Sequence, residues 1–170
     1  VGGESFFQPK SISQFSKEED PGLEFIHQEN AFVDFDRDRL TYFMYSTEGP
    51  AFAKADVNGD GLLDIYVCNS GDIKGDNKQN ELFINQGNGT FKEMAEAYGL
   101  ADKGFSTHAV FFDYDKDEDL DVYLLNNSYQ AIGTFNKMQN ERPVRDSVGG
   151  DKLFRNDGEK FTDVSEEAGI

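Results

Sequence analysis

At 170 residues, 37% hydrophobic with 16 Phe and 7 Tyr, the chain is long enough to form one domain with a substantial core, and it is not a disordered acidic tail. Its formal net charge of -17 argues against nucleic acid and anionic membrane surfaces as partners, because phosphate binding is driven by clustered Lys and Arg. No apolar run approaches the ~20 residues of a membrane helix, and the single cysteine excludes an internal disulfide framework.

In chain order, residues 1–50 are the least patterned. Glu4 to Gln8 and Ser11 to Phe15 carry loose strand signals, read as the last two strands of a preceding four-stranded unit. Asp34-Phe35-Asp36-Arg37-Asp38 begins like a loop of oxygen ligands, but its ninth position is Tyr42 and it has no glycine. A solvated turn is the better reading, and a third ion at 34–42 is left open.

The next segment is far more specific. Asp56-Val57-Asn58-Gly59-Asp60-Gly61-Leu62-Leu63-Asp64 is followed by the apolar run Ile65-Tyr66-Val67. The pattern returns 57 residues later as Asp113-Tyr114-Asp115-Lys116-Asp117-Glu118-Asp119-Leu120-Asp121, followed by Val122-Tyr123-Leu124. Oxygen-bearing side chains recur at loop positions 1, 3, 5 and 9. A hard divalent cation takes about six to eight oxygens, which such a loop supplies from alternate side chains and the seventh carbonyl. Without a cation, two carboxylates about 4 Å apart repel by on the order of 4 kcal/mol at an effective dielectric near 20. Magnesium keeps several waters in a strict octahedron, so calcium is the expected ion, one per loop.

An EF-hand is rejected. That loop requires a glutamate at position 12 between two helices, whereas here position 12 is Val67 or Leu124 and the sequence downstream favours buried strands. Cys68 lies in the run Ile65-Tyr66-Val67-Cys68 and reads as a small buried strand residue rather than a reactive thiol. His27 and His108 are too few and too far apart for a zinc site.

The repeat extends beyond the loops. Glu81-Leu82-Phe83-Ile84-Asn85-Gln86-Gly87 returns as Lys152-Leu153-Phe154-Arg155-Asn156-Asp157-Gly158, and Phe91 to Leu100 returns as Phe161 to Ile170. Strands are expected at Ala51 to Asp56, Ile65 to Asn69, Glu81 to Asn85 and Thr90 to Met94. The second set runs from His108 to Asp113, Val122 to Asn126, Lys152 to Asn156 and Lys160 to Val164. Gly99 and Gly169 are expected to cap a short helical turn at the end of each set. Four short antiparallel strands per unit, repeated, is the signature of a propeller blade. The expected fold class is all-β: two to three four-stranded antiparallel blades of a partial β-propeller, with calcium-binding hairpin loops. The divisions are 1–50, a partial preceding blade; 51–106, a complete blade; and 107–170, a second blade with an insertion at 128–149.

These motifs resemble the FG-GAP and VCBS repeats of integrin-like β-propellers. Glu81 to Asn85 and Phe161 to Gly169 resemble bacterial relatives of cartilage acidic protein, so the likeness covers about residues 47 to 170. The resemblance implies that each loop joins the first two strands of its blade. It also implies the ligand set: the side chains of Asp56, Asn58, Asp60 and Asp64 with the Leu62 carbonyl, and those of Asp113, Asp115, Asp117 and Asp121 with the Asp119 carbonyl. Loop two departs from the pattern, with Lys116 and Glu118 where loop one has Gly59 and Gly61. Propellers of the family generally have about seven blades, so this chain is expected to be a fragment that packs against further blades or other chains.

No pairing of nucleophile and base rises above background, so a non-enzymatic module is expected. The expected role is protein or glycan interaction at an extracellular, cell-surface or periplasmic location; the alternative is a non-catalytic piece of a polysaccharide-acting enzyme. The insertion, with Tyr129, Phe135, Lys137, Arg142, Pro143 and Arg145, is locally basic and aromatic and reads equally as a recognition loop or a spacer. Asp146-Ser147-Val148, Asn88-Gly89-Thr90 and Asn126-Asn127-Ser128 are weak glycosylation signals.

Overall fold

The computed structural model describes residues 50–70, 79–127 and 145–170. The expected strands at 4–8 and 11–15, the loop at 34–42 and insertion residues 128–144 lie outside them.

Eight strands form two four-stranded antiparallel sheets. The first sheet contains β1 (Ala51–Ala55), β2 (Asp64–Cys68), β3 (Glu81–Asn85) and β4 (Phe91–Glu93), in that order. The short helix α1 (Ala95–Tyr98) follows. The second sheet repeats the order with β5 (Ser106–Phe112), β6 (Asp121–Asn126), β7 (Lys152–Asn156) and β8 (Phe161–Asp163), then α2 (Ser165–Ala168). Each sheet is a simple meander, the arrangement of a propeller blade.

The registers also repeat. Ala55 pairs with Asp64 as Phe112 pairs with Asp121, so the last residue of each nine-residue loop is also the first residue of a strand. The sequence reading placed β2 and β6 one residue later because it assigned those carboxylates to the loop alone. In the second sheet β5 begins at Ser106, before the expected His108, and a bulge between Ser106 and His108 absorbs the extra residue. Gly99 and Gly169 close α1 and α2 with φ of 77° and 78°, the left-handed conformation that glycine adopts without a Cβ clash.

Alternation along the strands gives each sheet two faces. Ala51, Ala53 and Ala55 of β1, Tyr66 and Cys68 of β2, and Leu82 and Ile84 of β3 share the face turned to the second sheet. The second sheet meets it with Ala109, Phe111, Val122, Leu124 and Phe154. Tyr66 and Phe111 pack edge to face, with centroids 6.2 Å apart. Burying each large apolar side chain stabilises the pair of sheets by about 1.5–3 kcal/mol.

A polar network crosses the same interface. Asn80, fully buried ahead of β3, donates from Nδ2 to the Tyr66 hydroxyl (2.9 Å) and to Ser106 Oγ on the second sheet (2.9 Å). Its Oδ1 accepts the Asn69 N–H at 2.7 Å, and the Tyr66 hydroxyl donates to the Leu100 carbonyl at 2.9 Å. Both polar atoms of the Asn80 side chain are thereby partnered, which such a buried group requires. Lys152 of β7 adds an ion pair with Asp102, and Asp102 Oδ1 accepts the Gly104 N–H at 2.8 Å. Among the described residues, no helix is long and apolar enough to cross a membrane.

Candidate metal centre

The two loops share one backbone. Gly59 and Gly61 have φ of 72° and 85°, and Lys116 and Glu118, 57 residues on, have φ of 68° and 77°. A non-glycine residue in this region costs roughly 1–2 kcal/mol, so loop two holds the glycine geometry against strain. The carboxylate-rich sequence therefore folds to the same shape with or without the residue best suited to it.

In loop one the side chains converge on backbone amides. Asp56 accepts the Asp60 N–H at Oδ1 (3.0 Å) and the Gly61 N–H at Oδ2 (2.8 Å). Asn58 Oδ1 also accepts from the Asp60 N–H (3.2 Å), Asn58 Nδ2 donates to Asp60 Oδ2 (3.1 Å), and Asp60 Oδ1 accepts the Leu62 N–H (2.8 Å). In loop two Asp113 accepts the Lys116 N–H (2.7 Å) and Asp117 the Asp119 N–H (2.9 Å). Here the carboxylates of Asp113, Asp115 and Asp117 come together, with one oxygen of each within 4.8 Å of the others. Desolvation, with the charges of Asp117 and Asp121, raises the Asp115 carboxyl above its ordinary range. The three residues are exposed, and clustered negative charge at this density favours a cation.

The ninth-position aspartates behave differently. Asp64 and Asp121 are fully buried. Asp64 accepts the Val57 N–H (3.0 Å) and the Asn85 N–H (2.8 Å), and Asp121 accepts the Tyr114 N–H (2.6 Å) and the Asn156 N–H (2.8 Å). Burial raises the Asp64 carboxyl, opposed by the hydrogen bonds from Asn85 and Val57. Each carboxylate has about four acceptor sites, so both retain lone pairs beyond these bonds. Asp121 is not one of the close triad. The side chains expected as ligands thus separate into a rim (Asp56, Asn58 and Asp60; Asp113, Asp115 and Asp117) and a buried anchor (Asp64; Asp121).

An all-oxygen donor set with anionic side chains at alternate positions fits a hard divalent cation, and it fits no soft metal. A cation held there would neutralise the rim charges and fasten the loop to its strands.

Sequence reasoning missed the amides that hold the anchors. Asn85 and Asn156 stand at the same place in the repeat, as the last residues of their expected strands, and the pattern assigns them no further role. Each also returns a side-chain bond, Asn85 Nδ2 to the Leu63 carbonyl (3.2 Å) and Asn156 Nδ2 to the Leu120 (3.4 Å) and Val57 (3.3 Å) carbonyls. Asn156 therefore ties the second sheet to loop one. Cys68 is buried, its thiol pushed up to about 12 by desolvation, which removes it as a nucleophile near neutral pH. Of the basic and aromatic insertion residues singled out in the sequence, Arg145 alone is described; it donates to the Asp151 carbonyl (3.3 Å) and lies 3.7 Å from Asp163.

Residues 56–124, from the first residue of loop one to the fourth residue of β6, match the family model described as FG-GAP-like repeat. No curated protein matches the chain. The matched segment holds both loops, so the similarity and the two-sheet geometry bear on the same residues: the described residues form two antiparallel β-sheets, and residues 56–124 are similar to an FG-GAP-like repeat.

Proposed function

We propose that this chain is a calcium-binding β-propeller module that acts by interaction rather than catalysis. The two sheets are consecutive blades of that propeller. Asp56, Asn58, Asp60 and Asp64 with the Leu62 carbonyl hold one ion, and Asp113, Asp115, Asp117 and Asp121 with the Asp119 carbonyl hold the second. The observation that supports this reading most strongly is the convergence of the Asp113, Asp115 and Asp117 carboxylates in a loop whose backbone recurs 57 residues away. Calcium here is structural: it fastens the loop between the first two strands of a blade. Two bound ions reduce the net charge from -17 to -17 + 4 = -13.

The surrounding setting is extracellular, cell-surface or periplasmic, where calcium near 1 mM meets sites of dissociation constant near 0.1 mM, and the partner is a protein or glycan. Further blades pack against the outer faces of these two. Isothermal titration with calcium tests the metal assignment. Two sites that favour calcium over magnesium are expected, and no heat from either ion in millimolar excess would sink it.

A further inference from the structure

Between the two sheets, Asn80 is a donor at the centre of the interface. Its Nδ2 bonds both Tyr66 and Ser106. The second sheet carries the same constellation on its outer face, with Tyr123 for Tyr66, Asn126 for Asn69 and Asp151 for Asn80. Asp151 Oδ1 accepts the Asn126 N–H at 3.0 Å, as Asn80 Oδ1 accepts that of Asn69. The other half is reversed. Asp151 Oδ2 accepts the Tyr123 hydroxyl proton at 2.8 Å, whereas Tyr66 accepts from Asn80 and donates to Leu100. A carboxylate has no proton to give. The free lone pairs of Asp151 and of the Tyr123 oxygen are therefore all acceptors, where the first sheet presents a donor.

The surroundings are those of an interface. Val110, Phe112 and Leu125 are 48%, 39% and 44% exposed, and their counterparts Ala53, Ala55 and Cys68 belong to the core between the sheets. We propose that the outer face of the second sheet docks a further β-sheet of the same repeat type, one that brings a hydrogen-bond donor onto the Asp151 carboxylate. The donor is a serine, threonine or lysine at the place where Ser106 meets Asn80. The inference rests on the reading that further blades stack here, and adds the polarity of the contact. Covering Asp151 without a further donor would bury a carboxylate whose hydrogen bonds come from two neutral groups, the Tyr123 hydroxyl and the Asn126 N–H, and a sheet presenting only acceptors cannot offset that charge.

A second copy of this chain is a poor occupant. The face it could offer in the matching orientation is the outer face of its first sheet, where Phe52 is 67% exposed but Val67 and Phe83 are only 6% and 2% exposed. In its sequence the residue 57 positions before Ser106 is Gly49, which has no side-chain donor.

The test extends the full chain at Ile170 with a second copy of its own residues 101–170, so that the added copy of Ser106 falls opposite Asp151. That added position is made Ser, Lys, Ala or Asp, and amide exchange in β5 and β6 is read by mass spectrometry. Serine and lysine are expected to slow exchange about tenfold or more relative to the unextended chain, alanine less, and aspartate not at all. Asp151→Asn should rescue the aspartate form, because the amide then donates. Equal protection by all four residues would overturn the donor requirement while leaving stacked blades intact. Protection by none would remove the stacked-blade reading for this face. Sedimentation of the unextended chain as a dimer that Val110→Lys dissolves would instead make a second copy the occupant, and overturn the choice made here.

Discussion

Asp64 and Asp121 hold equivalent places in the two sheets and make the same pair of bonds. Each joins the second amide of its own loop to the amide that ends the third strand. These aspartates serve the fold before they serve any ion, since their carboxylates pin the loop to the end of the neighbouring third strand.

Removing one anchor therefore separates folding from metal binding. Asp64→Ala leaves the Val57 and Asn85 amides without their acceptor, at about 1–3 kcal/mol each if they stay dry. A loss of about 2–5 kcal/mol is expected in urea unfolding, with or without EDTA. Asp115→Ala, on the exposed rim, should lose no stability in EDTA at pH 7, because it removes a repelled charge, and should reduce the calcium-dependent gain. If Asp64→Ala costs nothing in EDTA, the anchoring role is wrong.

Calcium itself should raise stability by mass action. At a dissociation constant near 0.1 mM and about 1 mM calcium, each site contributes roughly 1.4 kcal/mol. For a chain of this size, two sites correspond to a rise in melting temperature of about 5–10 °C. Calorimetric scans in calcium and in EDTA should differ by that amount; superimposable scans would contradict two occupied sites.

Loop two carries strain that loop one lacks. Lys116→Gly and Glu118→Gly should each stabilise the protein by about 0.5–1 kcal/mol, because relief of the left-handed penalty exceeds the added backbone entropy of the unfolded chain. The reciprocal changes isolate the same effect. A Cβ on Gly59 or Gly61 meets no atom within 4 Å, so Gly59→Ala should cost only the conformational penalty of roughly 1–2 kcal/mol. Urea midpoints of the three variants measure it, and stabilisation by Gly59→Ala would refute the assignment.

Gly99 and Gly169 have nearly the same φ, but different surroundings. A Cβ on Gly99 would sit 2.8 Å from the Phe161 carbonyl oxygen and 3.0 Å from Lys160 Cε, whereas one on Gly169 meets nothing within 4 Å. Gly169→Ala should cost about 1–2 kcal/mol from backbone strain alone. Gly99→Ala should cost about 1–3 kcal/mol more, because the turn after α1 must move off the second sheet. Equal costs in denaturant titrations would mean that this contact between the sheets is not made in solution.

The periodic features were readable from the sequence. Strand order, the two loops and the glycine caps all follow from alternation and repeat spacing, and Glu81–Asn85 and Lys152–Asn156 fall where the pattern places them. What could not be read is carried by side chains that reach across the repeat. Asn80 bonds Ser106 from 26 residues away and Asn156 reaches Val57 from 99, contacts that leave no periodic trace. Equivalent positions also solve one problem with different residues. The Leu82 amide is accepted by the Glu93 carboxylate (3.3 Å), while the Leu153 amide is accepted by the Ser165 hydroxyl (2.9 Å), itself bonded to Asp163. Neither substitution looks conserved in type, yet each buried N–H finds an acceptor.

The acid side of the rim gives a pH signature in EDTA. The Asp115 carboxyl is raised in the folded protein by desolvation and by the charges of Asp117 and Asp121, so the folded state holds that proton more tightly than the unfolded chain, whose aspartates titrate near ~3.9. The favourable linkage is complete below that value and is lost as pH rises through the folded pKa. At pH 7 the ionised group therefore opposes folding unless a cation is present. Asp115→Asn should accordingly stabilise the protein in EDTA at pH 7, and the advantage should shrink as pH falls to about 4. Asp163 has the opposite sense: burial works against its ionisation, but the bonds from Ser165 and the charges of Arg145 and Lys152 hold its carboxyl below the ordinary range. Its contribution is present above about 3.9 and is lost as pH falls through the folded pKa, so Asp163→Asn should destabilise at pH 7 and matter less in acid. Unfolding free energies of both variants and the parent across pH 3–7 decide the matter; a loss of stability for Asp115→Asn at pH 7 in EDTA would show that the rim carboxylates do not repel one another in the folded loop.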